Sequence, residues 1–409
     1  MTVNGELRLV RRRYATAPRN PASAEPHTPE TLIPAGLFTD RQACSHRVSV
    51  HAREFFCRTN LQAKSFGVAA DLLAHLSGVV TSPERLRQVV QEEGKRVQRV
   101  QQAGSRTPEG KPGGALAPAW TALQSQVQPR DTGQMSFEFP PRRVYASMDG
   151  VMAPRVTQAE KDKRRVAAVR KRRALPAGKR AKLKPLPPRK RGSDRAWKEI
   201  KLTLHHDQHG AHSHASATTG NHRGAGGLID RDARKLLMRV ADQKVAIGDG
   251  AAWIRNRFEE SRTAYDATIL DWYHFSGHVH EARRGVFGEK DSEGFAWAEQ
   301  LLVLARTRGP DAFLDRLHED KRVRRGGPRA AIGALLAYAD ERRGGIDYPR
   351  YLAEGWHIGS GLMEATCKTI PWRLKGSGMR WDRASTDAIT NLAALEQNGQ
   401  WETYWRQAA

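Results

Sequence analysis

Cysteine, long apolar runs and acidic residues are all scarce in this sequence of 409 residues. Its three cysteines, Cys44, Cys57 and Cys367, are widely separated and form neither a disulfide framework nor a paired-cysteine zinc site. No run approaches the roughly 18 apolar residues of a membrane-spanning helix, and the N-terminal residues include no apolar stretch of signal-peptide length. We therefore expect a cytoplasmic protein.

Positive charge dominates the composition. The chain has 68 Lys and Arg against 44 Asp and Glu, which gives a net charge of +24 at pH 7. Such an excess favours a polyanionic partner, with nucleic acid as the first candidate. An anionic membrane surface, the alternative, would call for a basic amphipathic helix or an apolar anchor, and the sequence offers neither. The length predicts two or three domains.

The N-terminal third divides into an arm, a helical region and a linker. Residues 1–38 are basic and rich in Pro, Ala and Thr without periodicity, which predicts a disordered arm. Residues 39–102 have a helical pattern. Residues 103–140 carry enough Gly and Pro to mark a linker.

Two helices are predicted in SFGVAADLLAHLSG and the segment that follows it. The first ends at Gly78 and has an apolar face made of Val68, Leu72, Leu73 and Leu76. The second, capped by Ser82, has an inward stripe made of Leu86, Val89, Val90 and Val97. The short connection suits a helix-turn-helix, whose second helix would present to a DNA groove Arg85, Arg87, Gln88 and Gln91. An ordinary helical hairpin is the alternative.

An α/β domain is predicted after the linker. RRVYASMDGVM and WKEIKLTLHH alternate like strands, whereas KVAIGDG and ATILDWYHF are short buried-type strands that each lead into a helical pattern. Residues 141–277 therefore form the first part of a sheet domain. Residues 278–355 are predicted to be helical throughout, and residues 356–409 to supply the C-terminal helices.

Two biased segments interrupt the sheet region. Residues 161–191 are dominated by Lys and Arg with several Pro, which predicts a disordered basic loop that contacts DNA through charge alone. Residues 205–222 are rich in His. They lack a fixed ligand spacing, so a solvated hairpin loop between strands is favoured over a metal-binding tract.

Two aspartates follow or end strand patterns and are each backed by a glycine. Asp149 precedes Gly150, and Asp249 precedes Gly250. In α/β sheets the carboxyl ends of strands line the crevice where ligands bind. Two carboxylates there would repel each other, and a divalent cation, which prefers hard oxygen ligands, would remove that cost. For either aspartate alone, a turn or helix cap is the alternative.

A third acidic residue, Glu364, is predicted in the first turns of a helix in GSGLMEATCK. It would complete a three-carboxylate group with Asp149 and Asp249. Its alternative role is that of a surface glutamate pairing with Lys368 four residues later.

These motifs carry a resemblance to a known family. The segments SMDGVM, AIGDGAAWI, LDWYHFSGH, IGSGLMEATCK and RLKGSGMRW, in that order, resemble the transposases of the ISKra group of bacterial insertion sequences. The resemblance covers roughly residues 40–405, and the last two motifs are the most specific. That group belongs to the DDE class, whose catalytic core is RNase H-like.

The resemblance implies a fold and a site. The fold would be an RNase H-like α/β core with a mixed sheet, interrupted by an all-helical insertion at 278–355 and preceded by a helix-turn-helix-like domain. The site would be a DDE triad of Asp149, Asp249 and Glu364 holding two Mg²⁺ or Mn²⁺ ions for phosphoryl transfer. Asp271 and His274 would orient metal ligands or DNA, with a structural His and an exposed Asp as the alternative.

The resemblance also implies partners. These would be double-stranded DNA, as element ends and target, and a second copy of the chain in a homodimer or larger assembly in the bacterial nucleoid. In KGSGMRW, Lys375 and Arg380 suit phosphate contact and Trp381 suits stacking on a base, although Trp381 could instead anchor the core.

Two departures from the family pattern favour alternative functions. CKTIPWRLKG is one residue shorter than usual, and Pro371 would break or kink the helix of Glu364. The basic stretch 161–191 is an elaboration. A DNA-binding regulator without catalysis, decayed or domesticated, and an RNase H-like nuclease without strand transfer are therefore the alternatives to a transposase.

Overall fold

The computed structural model describes residues 48–103, 142–236, 238 and 241–408. The predicted arm at 1–38 and all but the first residue of the predicted linker at 103–140 lie outside these ranges. Cys44 also lies outside them, while Cys57 and Cys367 are free thiols that are both buried. No helix in the described ranges is long and apolar enough to cross a membrane.

Three helices form the described part of the N-terminal region: α1 (Val50–Gln62), α2 (Phe66–Ser77) and α3 (Pro83–Ala103). Gly78 ends α2 with a φ of 67°, as its position predicts. The predicted stripe of α3 is fully buried. The face predicted for α2 is wrong, because Leu73 is buried with Ala69 and Ala70 while the remaining three apolar residues are exposed, namely Val68, Leu72 and Leu76.

A five-stranded mixed sheet follows, with its strands in the order β3-β2-β1-β4-β5. The strands are β1 (Arg143–Pro154), β2 (Trp197–Asp207), β3 (Ser213–Thr218), β4 (Gln243–Gly248) and β5 (Ala267–Leu270). β1 pairs antiparallel with β2, which pairs antiparallel with β3, whereas β1, β4 and β5 run parallel. The mixed α/β class and all four strands predicted from sequence are confirmed.

Helices cover the sheet between its strands. They are α4 (Gln158–Arg173) and α5 (Ala177–Ala181) between β1 and β2, α6 (His222–Lys235) after β3, and α7 (Ala252–Glu259) after β4. The strands are buried on both faces: Ala146 belongs to a core shared with the N-terminal helices, and its neighbour Tyr145 to a second core. Burial on both faces explains why Lys201 and Thr203, the polar positions of the alternating pattern in WKEIKLTLHH, are buried as well.

The helical insertion builds the second core. It contains α8 (Trp272–Phe287), α9 (Ser292–Val323), α10 (Gly326–Glu341), a 3₁₀ turn (Arg343–Ile346) and α11 (Tyr348–Ala353). The prediction of helices throughout 278–355 is confirmed, although the first of them begins at Trp272. Gly309 takes a non-helical conformation just before Pro310 and kinks α9.

The C-terminal helices return to the sheet and to the N-terminal region. They are α12 (Gly361–Thr369), a 3₁₀ turn (Trp372–Leu374), α13 (Arg383–Gln397) and α14 (Trp401–Ala408). α12 ends just before Pro371, as predicted. A buried ion pair of Arg53 with Glu93, 3.1 Å long, is joined by the Tyr404 hydroxyl, which donates to Glu93 at 2.5 Å. The N-terminal helices and the C-terminal helices thus share one interior.

Two predictions about biased segments need correction. Residues 161–191 are not a disordered loop, because α4 and α5 span 158–181 in it; a capping box between Thr157 and Glu160 starts α4. The His-rich segment 205–222 is not wholly a solvated loop. It contributes the end of β2 and the whole of β3, with His205 and His214 paired and buried, and the hairpin loop is the turn between these two strands.

Candidate active site

Strand register aligns three aspartates at the same edge of the sheet. Ser147 of β1 lies beside Ile247 of β4, and Gly248 of β4 lies beside Leu270 of β5. Continuing those registers by one or two residues places Asp149, Asp249 and Asp271 next to one another. Neighbouring strands are about 4.8 Å apart, so the aspartates belong to one row. Asp149 lies within β1 rather than at its end, but beyond the last residue that pairs with β4.

Asp149 is half-buried and its environment opposes ionisation. Burial raises the pKa of its carboxyl, and the negative charge of Asp249 adds to that effect. Three contacts act in the opposite direction: the N–H of Gly150 donates to Asp149 at 2.5 Å, the Cys367 thiol donates to it at 3.2 Å, and His274 acts through charge. A carboxylate crowded by a second one is a site that a cation would stabilise.

The thiol of Cys367, in α12, contacts Asp149, and the sequence did not predict this contact. Burial, followed by the charge of Asp149, raises the pKa of the thiol, so it remains a neutral donor. The contact packs α12 against β1. Spacing along α12 could not have revealed it, because it depends on how the helix lies on the sheet.

Asp249 follows β4 in a loop held by the helical insertion. Its carboxylate accepts the N–H of Ala251 at 2.8 Å, a turn contact of the kind considered as the alternative. The guanidinium of Arg342 donates twice to the Gly250 carbonyl, at 3.1 and 2.9 Å. Tyr338 packs under that guanidinium with 4.2 Å to its ring centroid. Arg342 and Tyr338 are site residues that the sequence did not single out.

Gly250 has no room for a side chain. Its φ is 79°, and a Cβ there would lie 2.6 Å from a Leu270 methyl and 2.9 Å from Arg342 Nε. The groups that approach this glycine are Leu270 at the end of β5 and Arg342 of the helical insertion. At Gly150 the approaching group is the Glu199 carboxylate, which pairs with Lys201.

Asp271 is buried and organises two helices. Its carboxylate caps α8 by accepting the His274 N–H at 2.9 Å, and it also accepts the Ser360 N–H at 2.5 Å, immediately before α12. His274 is exposed. The alternative of a structural histidine with an exposed aspartate is therefore wrong: the aspartate is buried and structural, and the histidine is exposed. Asp271 acts on the backbone that carries Glu364, which fits the predicted orienting role.

Glu364 lies in the same cleft as Asp149 but does not join the two aspartates. The cleft has a volume of about 630 Å³ and is lined by Asp149, Asp271, Tyr273, His274, Gly277, His278, Glu281, Ser360 and Glu364. The Glu364 carboxylate is exposed and pairs with Lys368 at 2.7 Å, which is the alternative considered above. Within the described ranges, no three His, Cys, Asp or Glu side chains are arranged to hold a metal ion.

The candidate recognition helix packs against the core. Arg87 pairs with Glu84 and donates to Gln91 at 2.7 Å, while Gln88 donates to Glu84 at 2.9 Å. Gln91 in turn donates to Ser385 of α13. Arg85 is half-buried. These residues have protein partners here, so DNA contact by α3 would require Arg87 to exchange Glu84 for phosphate or base.

The glycine motif after α12 separates its three candidate DNA ligands. Lys375 is exposed, and Arg380 pairs with Glu160 of α4 at 2.8 Å. Trp381 is buried, with its indole N–H donating to the Leu374 carbonyl at 3.0 Å and its ring packed edge-on against Phe66. The core-anchor alternative is confirmed for Trp381, and stacking on a base is the wrong role for it.

Comparison of the chain with protein-family models and with curated proteins gives no match. The residues themselves therefore carry the functional argument.

Proposed function

We propose that the chain is a DDE-class DNA transposase that cleaves insertion-sequence ends and joins them to target DNA. The observation that carries the proposal is the row of Asp149 and Asp249, which strand register aligns at one edge of the sheet, with Asp149 lining the cleft that also contains Glu364. The strand order is compatible with the RNase H-like core that the sequence motifs imply.

The donor chemistry of the row suits Mg²⁺. Asp149 and Asp249 offer hard oxygen ligands. Burial, with a smaller contribution from the charge of Asp249, raises the pKa of Asp149, and a bound cation would stabilise the ionised carboxylate against both. Glu364 would join them after leaving Lys368. Two bound ions would supply a nucleophile activated at neutral pH and charge stabilisation for the leaving oxygen.

The chain's own residues would prepare this chemistry in three ways. Arg342 fixes the loop of Asp249, Asp271 fixes the start of the Glu364 helix, and Cys367 holds the Asp149 carboxylate by a neutral hydrogen bond. Preorganised positions of this kind reduce the entropy that must be lost on reaching the transition state. Exposed His274 beside them can contact a DNA phosphate.

Three further regions support DNA as the substrate. Hydrogen bonds from Arg87 hold the pKa of Glu84 below its usual value, and the charge of Lys190 adds to this, so the start of α3 adjoins the basic segment between β1 and β2. The hydrogen bond with Glu84 raises the pKa of Arg87, and the charge of Asp382, next to the glycine motif, adds to this. Ion pairs of Glu160 with Arg380 and of Lys161 with Asp382 also join the glycine motif to the base of the basic segment, so both candidate DNA-contacting regions adjoin it.

The proposal is tested by incubating the protein with a duplex that carries the ends of its own element in Mg²⁺. A transposase yields nicked ends and joined products. Nicks without joining would indicate an RNase H-like nuclease, and binding without nicks would indicate a regulator. The short connection at Pro371 and the pairing of Glu364 with Lys368 are the observations that favour the regulator.

A further inference from the structure

The segment between β1 and β2 folds back on itself as a basic hairpin, which we define as α4, α5 and the return segment 182–192. Residues 161–191 contain 15 Lys and Arg and one acidic residue, Asp162, for a net charge of +14. More than half of the net charge of the whole chain, +24, is therefore concentrated in this one hairpin.

The basic hairpin is ordered without a core of its own. None of the 16 residues of α4, Gln158–Arg173, is buried, and Val166 is 68% exposed. Order comes instead from polar contacts along its length: the side chains of three cations donate to carbonyls of the return segment. These contacts join Lys161 to Arg191 at 2.9 Å, Arg165 to Pro187 at 2.9 Å and Arg172 to Lys184 at 2.8 Å.

The base of the hairpin is fixed to the glycine motif that follows the Glu364 helix. Glu160 pairs with Arg380 at 2.8 Å, and Lys161 pairs with Asp382 at 2.6 Å. β1 ends at Pro154, five residues or about 16 Å along the strand beyond Asp149. α4 begins four residues later, at Gln158. The hairpin therefore has a fixed position relative to the candidate active site.

Repulsion among the cations of α4 opposes the helix, and a polyanion lying along it would relieve that repulsion. Like charges three or four residues apart destabilise a helix, and α4 gains nothing from apolar burial to offset them. Four of its exposed cations do not contribute to the contacts with the return segment: Lys163, Arg164, Arg170 and Lys171. These side chains are free to face a ligand.

We propose that the basic hairpin is a rigid arm that lies along the phosphate backbone of duplex DNA outside the cleft. A 16-residue helix is about 24 Å long, which equals about 7 base pairs of duplex at 3.4 Å each. This inference rests on the proposed function only for its choice of DNA as the polyanion. The arm's contacts would be independent of sequence, because phosphates carry no sequence information.

Charge contacts are tested by the salt dependence of binding to a random-sequence 30-base-pair duplex, measured without Mg²⁺. Replacing Lys163, Arg164, Arg170 and Lys171 by Gln should lower the slope of log K against log salt by about 3 to 4, since each phosphate contact contributes about 0.9. The matched control replaces four exposed cations of the helical insertion, Lys290, Arg308, Arg322 and Arg325, by Gln. Equal slopes for the two variants would overturn the assignment of DNA contact to the hairpin.

Rigidity is tested separately by Val166→Pro, which breaks α4 without changing its charge. The number of base pairs covered per protein on a long duplex should fall by about 7, whereas Val166→Ala should leave it unchanged. An unchanged site size in Val166→Pro would show a flexible basic tail and overturn the rigid arm. Because α4 buries no residue, circular dichroism should show the rest of the fold intact in both variants.

Two other polyanions serve as alternative outcomes. Single-stranded RNA and vesicles of phosphatidylserine with phosphatidylcholine are titrated with the same variants. Hairpin-dependent binding to either one, with no hairpin-dependent binding to duplex DNA, would overturn the proposal. All of these measurements remain informative if the protein cleaves nothing in Mg²⁺, so failure of the arm and failure of the transposase activity are distinguishable.

Discussion

The carboxylate of Asp271 accepts the backbone N–H of Ser360 at 2.5 Å, across 89 residues of sequence. The same carboxylate caps α8 through His274. One buried side chain therefore connects the end of β5, the start of the helical insertion and the start of the Glu364 helix.

Replacing Asp271 by Ala should destabilise the protein by about 2 kcal/mol, from the lost cap and the unsatisfied, partly buried N–H of Ser360. Cleavage should also fall, because the Glu364 helix loses its anchor. Chemical denaturation and a nicking assay measure the two effects. The control Asp291→Ala removes only the cap of α9, where Asp291 accepts the Gly294 N–H at 2.8 Å, and should cost about 1 kcal/mol without affecting cleavage.

Arg342→Lys should reduce cleavage about tenfold or more while leaving DNA affinity unchanged. A lysine cannot make the two-pronged contact with the Gly250 carbonyl, so the loop of Asp249 loses its fixed position. Single-turnover nicking rates and equilibrium binding measure the two quantities. Arg343→Lys is the control, since Arg343 is exposed and pairs with Asp340 and Asp311. If both variants cleave at the wild-type rate, Arg342 does not position the site.

Glu364 and Lys368 form a pair whose two members should respond differently to mutation. If Glu364 is a metal ligand, Glu364→Gln abolishes cleavage in Mg²⁺ and Lys368→Gln preserves it, because only the carboxylate is needed. If the pair is a surface contact, both changes should alter stability by less than about 1 kcal/mol and leave the chemistry intact. Nicking assays on the two variants decide between these roles, and equal rates would remove Glu364 from the site.

Stability should fall with acid between about pH 6.5 and pH 4 because of buried histidines. Burial lowers the pKa of His205 to about 3 and that of His214 to about 4. Below pH 6.5 the unfolded chain binds protons that the folded chain does not. The free energy of unfolding therefore falls by up to about 1.4 kcal/mol per pH unit for each of these histidines. The titratable groups that face His205 and His214 are Asp232, His206 and Lys235. Asp232 remains charged between pH 6.5 and 4, because Arg231 helps to hold the pKa of its carboxyl low despite burial.

His205→Gln tests this pH dependence by removing one of the buried histidines whose pKa is lowered. The fall in unfolding free energy between pH 6.5 and 4 should become less steep, whatever the stability of the variant at pH 7. His222→Gln, at an exposed position, should keep the wild-type slope. A wild-type slope in His205→Gln would show that another group governs acid stability.

The sheet and the helices were largely predictable because their patterns are local. Alternation in β1 and β2, the cap at Ser82 and the stop at Gly78 depend on residues close in sequence. The basic hairpin was mispredicted because its composition indicates disorder, whereas its order comes from contacts of its cations with the return segment and from ion pairs with Arg380 and Asp382, more than 200 residues away. The capping box at Thr157 and Glu160 was the local signal of α4 that composition obscured.

The candidate site was predictable only in its strand residues. Asp149 and Asp249 could be placed because parallel strands bring their carboxyl ends to one edge of a sheet. The contacts of Cys367 with Asp149 and of Arg342 with Gly250 join elements that pack only in the tertiary fold, and no spacing encodes them. Trp381 had two possible roles in sequence, and only its burial decides for the core.

The central claim is that Asp149 and Asp249 form a metal-dependent catalytic pair. Asp149→Asn keeps the shape of the side chain and removes the charge that a divalent cation needs. The account predicts that this variant binds element-end duplex with wild-type affinity and produces no nicks in Mg²⁺, while the wild-type protein nicks in Mg²⁺ and is inactive in chelator. Wild-type nicking by Asp149→Asn, or full activity in chelator, would contradict it.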